Sequence, residues 1–493
     1  MTFLHVRLDA AGNASVEGAA THRMGTPVPE PAGAANGVFA DWHWDGTGVT
    51  VRTDPLGFFP LFVFVTDREL CISPSLVTLV DRGAPRDLDH DALAVFLRLG
   101  HYLGDATPFA SIRVVSPMRT FTWSGDEPVI DPWPRPVGHD ALARDTAIDA
   151  FVERVHEAVR RRLPPDEEAF DLPLSGGVDS RHILLELIRQ RRPPRRVVTG
   201  SQHIGDRDIT VAARLAARLG IDHVKLGGYL DAGWHAELRK NRGTSFCADE
   251  HAWYLPVADH LLSATPLTYD GIGGDVLAGG AYLYPGEVSA VASGDFALLF
   301  ERLAPDHLEP VLAAALTPDF FHSIPRVRAV DHAVAELGRH AGAPNPIGSF
   351  SFWNTTRREI SLVPHSLLTP LAVHSPFLDC DVVQLLTGLP ASMLVDRRFH
   401  IDALHRAFPD FATVPFANEL PMSPTLRARR RLRQATRGLA QHVGVHARSR
   451  HSRLLRRVPP IVRGRVQRGA RTGFNWRAIY LRQLEILADG ASA

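Results

Sequence analysis

The order of apolar and polar positions divides the chain into two patterns. Over residues 1–135 short β-rich stretches follow one another: VFADWHW, GVTVRTD, LFVFV, LCIS and RTFTW. Turn sequences DGTG, DPLG and TDRE break them, and one stretch, HDALAVFLRLG, has apolar residues at helical spacing. This predicts an antiparallel β-layered domain. The segment DPWPRPVGHD, punctuated by proline and glycine, predicts a linker. From residue 140 the period changes. A helix over Asp145–Arg162 leads to the strand FDLPL, the helix HILLELIRQR and the strand RRVVTGS. The helix DITVAARLAARLG, ending at Gly220, and the strand DHVKLGG follow. Such alternation predicts a parallel, doubly wound α/β domain over 140–425. From Leu426 to 493 a basic, helical extension is expected, closed by the amphipathic stretch WRAIYLRQLEILA.

Composition narrows the class. At 493 residues the chain is long enough for two or three domains. Its 45% hydrophobic and 22% charged residues exclude a disordered or collagen-like protein. No apolar run reaches about 18 residues, so no spanning helix is expected. The start, MTFLHVRLDAAGN, lacks the basic and apolar regions of a secretory signal. Cys71, Cys247 and Cys380 lie far apart without a CxxC pair, which predicts buried thiols in a cytoplasmic protein. The formal charge of zero is uneven. Fifteen of the 54 basic residues are arginines between Arg427 and Arg471, where no acidic residue occurs, leaving 39 against 54 acidic elsewhere. That tail could cover an acidic body, form a solvated face, or bind RNA or an acidic partner. Aromatic interleaving of the kind that suits single strands is absent until Phe474 and Trp476. The only lysines are Lys225 and Lys240, so a catalytic lysine has two places to be.

The segment with the strongest chemistry is Leu174-Ser175-Gly176-Gly177-Val178-Asp179-Ser180, between a predicted strand and helix. Its glycines let backbone approach an anion, and the helix N-terminus offers unpaired N–H groups. Ser175 and Ser180 add hydroxyl donors. An aspartate in an anion cradle makes sense if a cation bridges it, which points to Mg2+ carrying a polyphosphate. The spacing is not that of a Walker loop.

SGGVDS resembles the pyrophosphate loop of ATP pyrophosphatases, and the chain as a whole resembles the asparagine synthetase B family. Asp270-Gly271-Ile272-Gly273-Gly274-Asp275-Val276-Leu277-Ala278-Gly279-Gly280 is similar to that family's SGEGSDExFGG, and Pro376-Phe377-Leu378-Asp379 to its PFLD. Asp208 and the stretch ending at His223 fall where the family has its D…A…LG…H pattern. Val51–Leu61, with Asp54 and Gly57, resembles the RDxxGxxPL turn of the glutaminase domain. The resemblance covers about residues 35–425. It implies an N-terminal glutaminase-like domain of the Ntn type and an ATP-pyrophosphatase domain. It implies further that Leu174–Ser180 hold ATP phosphates, that Thr199 and Gly200 lie against adenosine, and that Asp270 and Gly271 line the acyl-adenylate. Asp179 and Asp275 would be the Mg2+ ligands.

Three departures qualify the resemblance. The family's glutaminase uses an N-terminal cysteine; this chain reads Met1-Thr2-Phe3, so a degenerate, inactive glutaminase domain is expected, although a threonine with a free α-amine can act as nucleophile. Ile272 stands at the family's glutamate and Val276 at its second acidic position, and isoleucine cannot move a proton. Asp249, Glu250 and His251 are possible replacements. His400 stands at a family lysine, which argues against β-lactam-type ring closure. The implied reaction is adenylation of a carboxylate, release of pyrophosphate and acyl transfer to ammonia or an amine. Asparagine formation, macrolactam closure as in lasso peptide cyclases, and amidation of a sugar acid all remain open. A non-catalytic ATP-binding or RNA-binding scaffold is the alternative of a different class.

Overall fold

The computed structural model describes residues 2–29, 35–133, 142–200, 207–227, 233–249, 251–304, 308–421, 452–456 and 468–490. Most of the expected linker, Glu250, Phe474 and Trp476 as side chains, and most of the arginine tail lie outside the described residues.

The described residues up to 133 contain two antiparallel sheets. One contains β1 (Leu4–Leu8), β2 (Ala14–Gly18), β6 (Phe62–Val65), β7 (Glu69–Ser73) and β8 (Arg113–Val114), in the order β2-β1-β7-β6-β8. The other contains β3 (Thr21–Val28), β4 (Asn36–Trp44), β5 (Val49–Thr53), β9 (Met118–Trp123) and β10 (Val129–Pro132), in the order β10-β9-β5-β4-β3. Val6, Ala40, Trp42, Val51, Phe62 and Ile72 from both sheets share one buried core. This is the layered β-domain the pattern predicts. β1, β2 and β3 were not foreseen; every residue of β2 is exposed, so no apolar alternation announces it. Helix α1 (Leu76–Asp81) precedes α2 (His90–Leu99), which starts where Asp89 accepts the Ala92 N–H at 2.9 Å.

In the second region α3 (Arg144–Arg160) leads to β11 (Asp171–Pro173), α4 (Asp179–Arg189), β12 (Arg196–Gly200), α5 (Arg207–Leu219) and β13 (Asp222–Leu226). The three strands pair in parallel in chain order, with Leu172 opposite Val197 and Val197 opposite His223. After α6 (Trp234–Gly243) and α7 (Leu255–Ala264), β14 (Leu267–Tyr269) pairs in parallel with the distant β15 (Ala372–His374). Thr268 Oγ1 donates to the Asp171 carbonyl at 2.8 Å, tying this pair to β11.

The two regions are bound together by buried polar groups. Asp379 accepts from Arg162 Nη1 at 2.6 Å and from Asn36 Nδ2, on β4, at 3.0 Å. A π-helix over Phe352–Ile360 sends Arg357 and Arg358 to the carbonyls of Gly104 and Ala106, while Asn354 accepts the Gly104 N–H at 2.9 Å. The closing amphipathic stretch lies in a helix over Arg468–Ala488 that seals both regions. Tyr480 shares a 2.6 Å hydrogen bond with Tyr102 and donates to the Phe246 carbonyl at 2.8 Å; Gln483 Nε2 donates to the Trp234 carbonyl. This part of the expected extension is core, with Ile479, Leu481 and Leu484 buried.

Candidate active site

The loop Ser175–Val178 runs from the end of β11 to the start of α4, as the sequence predicts. Leu174 is buried, and its N–H donates to the Val198 carbonyl at 2.8 Å. Thr199 Oγ1 donates to the Leu174 carbonyl at 2.6 Å, and His223 Nε2 lies 2.9 Å from the same hydroxyl. Because the Thr199 proton is committed to Leu174, His223 must donate here. Gly200 is required by packing: a Cβ would sit 2.4 Å from Val257 on α7.

Inside the loop the backbone donors have short polar partners. Asp208, on α5, accepts the Gly176 N–H at 2.8 Å; Ser175 Oγ accepts the Gly177 N–H, and Ser180 Oγ the Ser175 N–H, both at 3.1 Å. A carboxylate and two hydroxyls thus meet N–H groups that a phosphate oxygen could meet instead. Helix α4 has no side-chain cap at its N-terminus, which leaves its dipole end available to an anion. Gly176 is also fixed by sterics, since a Cβ would lie 2.5 Å from Ala417 Cβ. Arg181, fully buried on α4, donates to the carbonyls of Val414 and Pro415 and stacks over Phe416 at 4.1 Å. It holds that segment against the loop, and burial pulls its guanidinium down to about 10.

The Asp270–Asp275 loop lies against the start of α4. Gly271 and Gly274 allow this: a Cβ on Gly271 would lie 2.7 Å from Asp179 Cβ, and one on Gly274 2.7 Å from Asp179 Oδ1. Asp270, Asp275 and Asp179 therefore repel one another. Asp275 is itself exposed, but the protein packed around its carboxyl and the Asp179 charge beside it hold that carboxyl above the usual carboxylate range. Burial likewise raises Asp270 to about 6, against the Ile272 N–H that Asp270 Oδ1 accepts at 2.8 Å. Asp179 Oδ1 is buried and has no hydrogen-bond partner. His400 Nδ1 lies 3.1 Å from it.

Carboxylate oxygens brought this close together suit Mg2+. Among the described residues no group of three or more His, Cys, Asp or Glu side chains is spaced to hold a metal ion, so phosphate oxygens and water would have to complete its shell.

The positions that depart from the family pattern are also located. Ile272 and Val276 are buried in the main core. Asp249 is engaged elsewhere: Arg477 Nε donates to it at 3.2 Å beside Gly100. His251 has a left-handed backbone at φ 78°, and its Nε2 is 3.8 Å from Glu359 Oε1. Burial holds its imidazole down at about 4. Thr2 offers its carbonyl to Ser73 Oγ at 2.9 Å. Sequence reasoning missed two groups: His182, which lies 218 positions from its partner His400, and Asn36, which binds the aspartate of PFLD.

Residues 150–309 match the family model described as asparagine synthase. That span of the chain is an asparagine synthase-like domain. The matched span contains the glycine loop and the Asp270–Asp275 loop, and the activity of such a domain is ATP-dependent amide formation. No curated protein matches the sequence. No helix among the described residues is long and apolar enough to cross a membrane.

Proposed function

We propose that this asparagine synthetase-like chain is an AMP-forming ligase that adenylates a carboxylate, releases pyrophosphate and passes the acyl group to an amine. The observation that carries the reading is the approach of the Asp270–Asp275 loop, through Gly271 and Gly274, to Asp179 at the uncapped start of α4. Ser175, Gly176, Gly177 and Ser180, with Leu174 beside them, would hold the ATP phosphates, and Thr199 and Gly200 would meet the adenosine. Asp270 and Gly271 line the acyl side. Asp179 and Asp275 would hold Mg2+, which when bound offsets charge on the departing pyrophosphate. The loop N–H groups orient the phosphates and stabilise the same charge.

The acyl acceptor is an amine that brings its proton to a residue other than position 272, because Ile272 has no group to take it. The N-terminal sheets form a degenerate glutaminase domain. Cys71 supports this: it is fully buried on β7, and burial pushes its thiol up to about 12, far from a nucleophile at neutral pH.

The test is pyrophosphate release from Mg-ATP with aspartate plus ammonium, aspartate plus glutamine, a panel of sugar acids, and no added acid. Release dependent on an added acid is expected. ATP binding with no release across a wide acid and peptide panel would overturn the ligase reading, and a requirement for glutamine would overturn the inert N-terminal domain.

A further inference from the structure

Behind Asp179 lies a second pair of buried polar groups that ATP and the cation would not touch. His182 follows Asp179 by three residues on α4, so the two share a helix face. His400 comes from the helix Phe399–Ala407 and inserts between them. Its Nδ1 lies 3.1 Å from Asp179 Oδ1, and its Nε2 is 3.0 Å from His182 Nδ1. Both imidazoles are fully buried. The rings of Phe151 and Phe377 pack edge-on against His400 with centroids 5.2 Å away, leaving it little freedom to turn.

We propose that His400, held by His182, is a positioning residue that fixes the Asp179 carboxylate for cation and pyrophosphate. The inference rests on the reading of Asp179 as a cation ligand. A carboxylate oxygen only accepts, so the nitrogen facing it must carry the proton, and this holds whether the pair is neutral or singly charged. The 3.1 Å approach is not yet an aligned hydrogen bond in this structure, both atoms being without one, and a small turn of the Asp179 carboxylate on binding the ion would bring Oδ1 onto Nδ1–H and leave the other oxygen for the cation. A ligand oriented from behind in this way loses little freedom on binding, as partners of metal-binding side chains commonly ensure. Also facing the pair are Glu186 Oε1, 3.9 Å from His182 Nε2 and itself paired with Arg189 at 2.6 Å, and the Phe408 ring.

The test measures Mn2+ affinity by electron paramagnetic resonance, on the full chain with α,β-methylene ATP, so that no turnover is needed. His400→Ala should weaken Mn2+ binding about 10- to 100-fold. His400→Asn places an amide nitrogen near the Nδ1 position and should restore most of the affinity; His400→Gln, which reaches only toward Nε2, should not. Asn and Gln variants that bind alike, or an Ala variant that binds as the wild type does, would overturn the inference. If the Ala variant does not fold, the Asn–Gln pair decides. Asp179→Ala separates the two levels. Unchanged Mn2+ affinity in that variant removes the ligand reading itself, whereas weakened affinity there with none in the His400 variants removes only the positioning role.

Discussion

Two aspartates in glycine-containing turns of this molecule differ in how their oxygens are used. In the N-terminal sheets Asp54 precedes Gly57, and both its oxygens are engaged. Its Oδ1 accepts the N–H groups of Leu56 and Phe58 at 3.0 and 3.2 Å, and Oδ2 that of Phe59 at 3.1 Å. In the second region Asp179 Oδ1 is buried without a hydrogen-bond partner, and two further carboxylates press on it. The first aspartate completes a turn. The second has a buried oxygen that no aligned donor completes, His400 Nδ1 at 3.1 Å being the approach described above, and such an oxygen is costly unless a ligand serves the group. Saturation of the oxygens distinguishes a turn former from a site where sequence alone cannot.

The sharpest way to break this comparison is Asp179→Ala. Pyrophosphate release should fall about 10²- to 10³-fold, the scale of losing one group that stabilises transition-state charge. Thermal stability should stay the same or rise, because a repelling carboxylate is removed. A variant that keeps its activity and melts lower would make Asp179 the structural residue.

For Asp54 the expected signature is stability that depends on pH. Burial pushes its carboxyl up to about 6 from an ordinary 3.8, despite the N–H groups that pull the other way. A raised folded value means that the contribution is complete below about pH 4 and is lost as pH rises through about 6. The size implied is about 3 kcal/mol. The difference in urea midpoint between wild type and Asp54→Asn should therefore fall across that window. A flat difference would show that the charge is not carried at this cost.

The glycine loop was legible because its residue types sit together: a strand, SGGVDS and a helix are contiguous, and the structure keeps that order. The Asp275 cluster was legible only as a resemblance, because what brings it to Asp179 is the absence of Cβ atoms at Gly271 and Gly274, a contact across more than 90 positions. The role of Asp379 was not readable from PFLD. Its partners, Arg162 and Asn36, come from α3 and from β4, and it locks the regions together. Val51–Leu61 resembles a glutaminase segment, and its aspartate completes its own turn by accepting the N–H groups of Leu56, Phe58 and Phe59. The segment WRAIYLRQLEILA showed its apolar face but not its destination, which depends on Tyr102 and Phe246, far away in sequence.

A glycine beside each aspartate offers the finest test: Gly274, which the facing loop packs on Asp179, and Gly57, in the turn of Asp54. A Cβ at Gly274 would meet Asp179 Oδ1 at 2.7 Å and Phe377 Cδ2 at 3.1 Å, so Gly274→Ala must shift the carboxylate by a few tenths of an ångström. Misplacement on that scale should slow pyrophosphate release about 10-fold, a fraction of what a full ångström costs. Gly57 has φ 61°, where a Cβ would also lie 2.9 Å from Pro117 Cγ. Gly57→Ala should cost about 1–2 kcal/mol of stability from the left-handed backbone and leave the turnover of folded protein untouched. The pair is read by measuring melting and turnover on both variants. If Gly57→Ala slowed turnover as much as Gly274→Ala, the N-terminal turn would have to reach the reaction, and the contrast between a saturated and an unsaturated aspartate would lose its meaning.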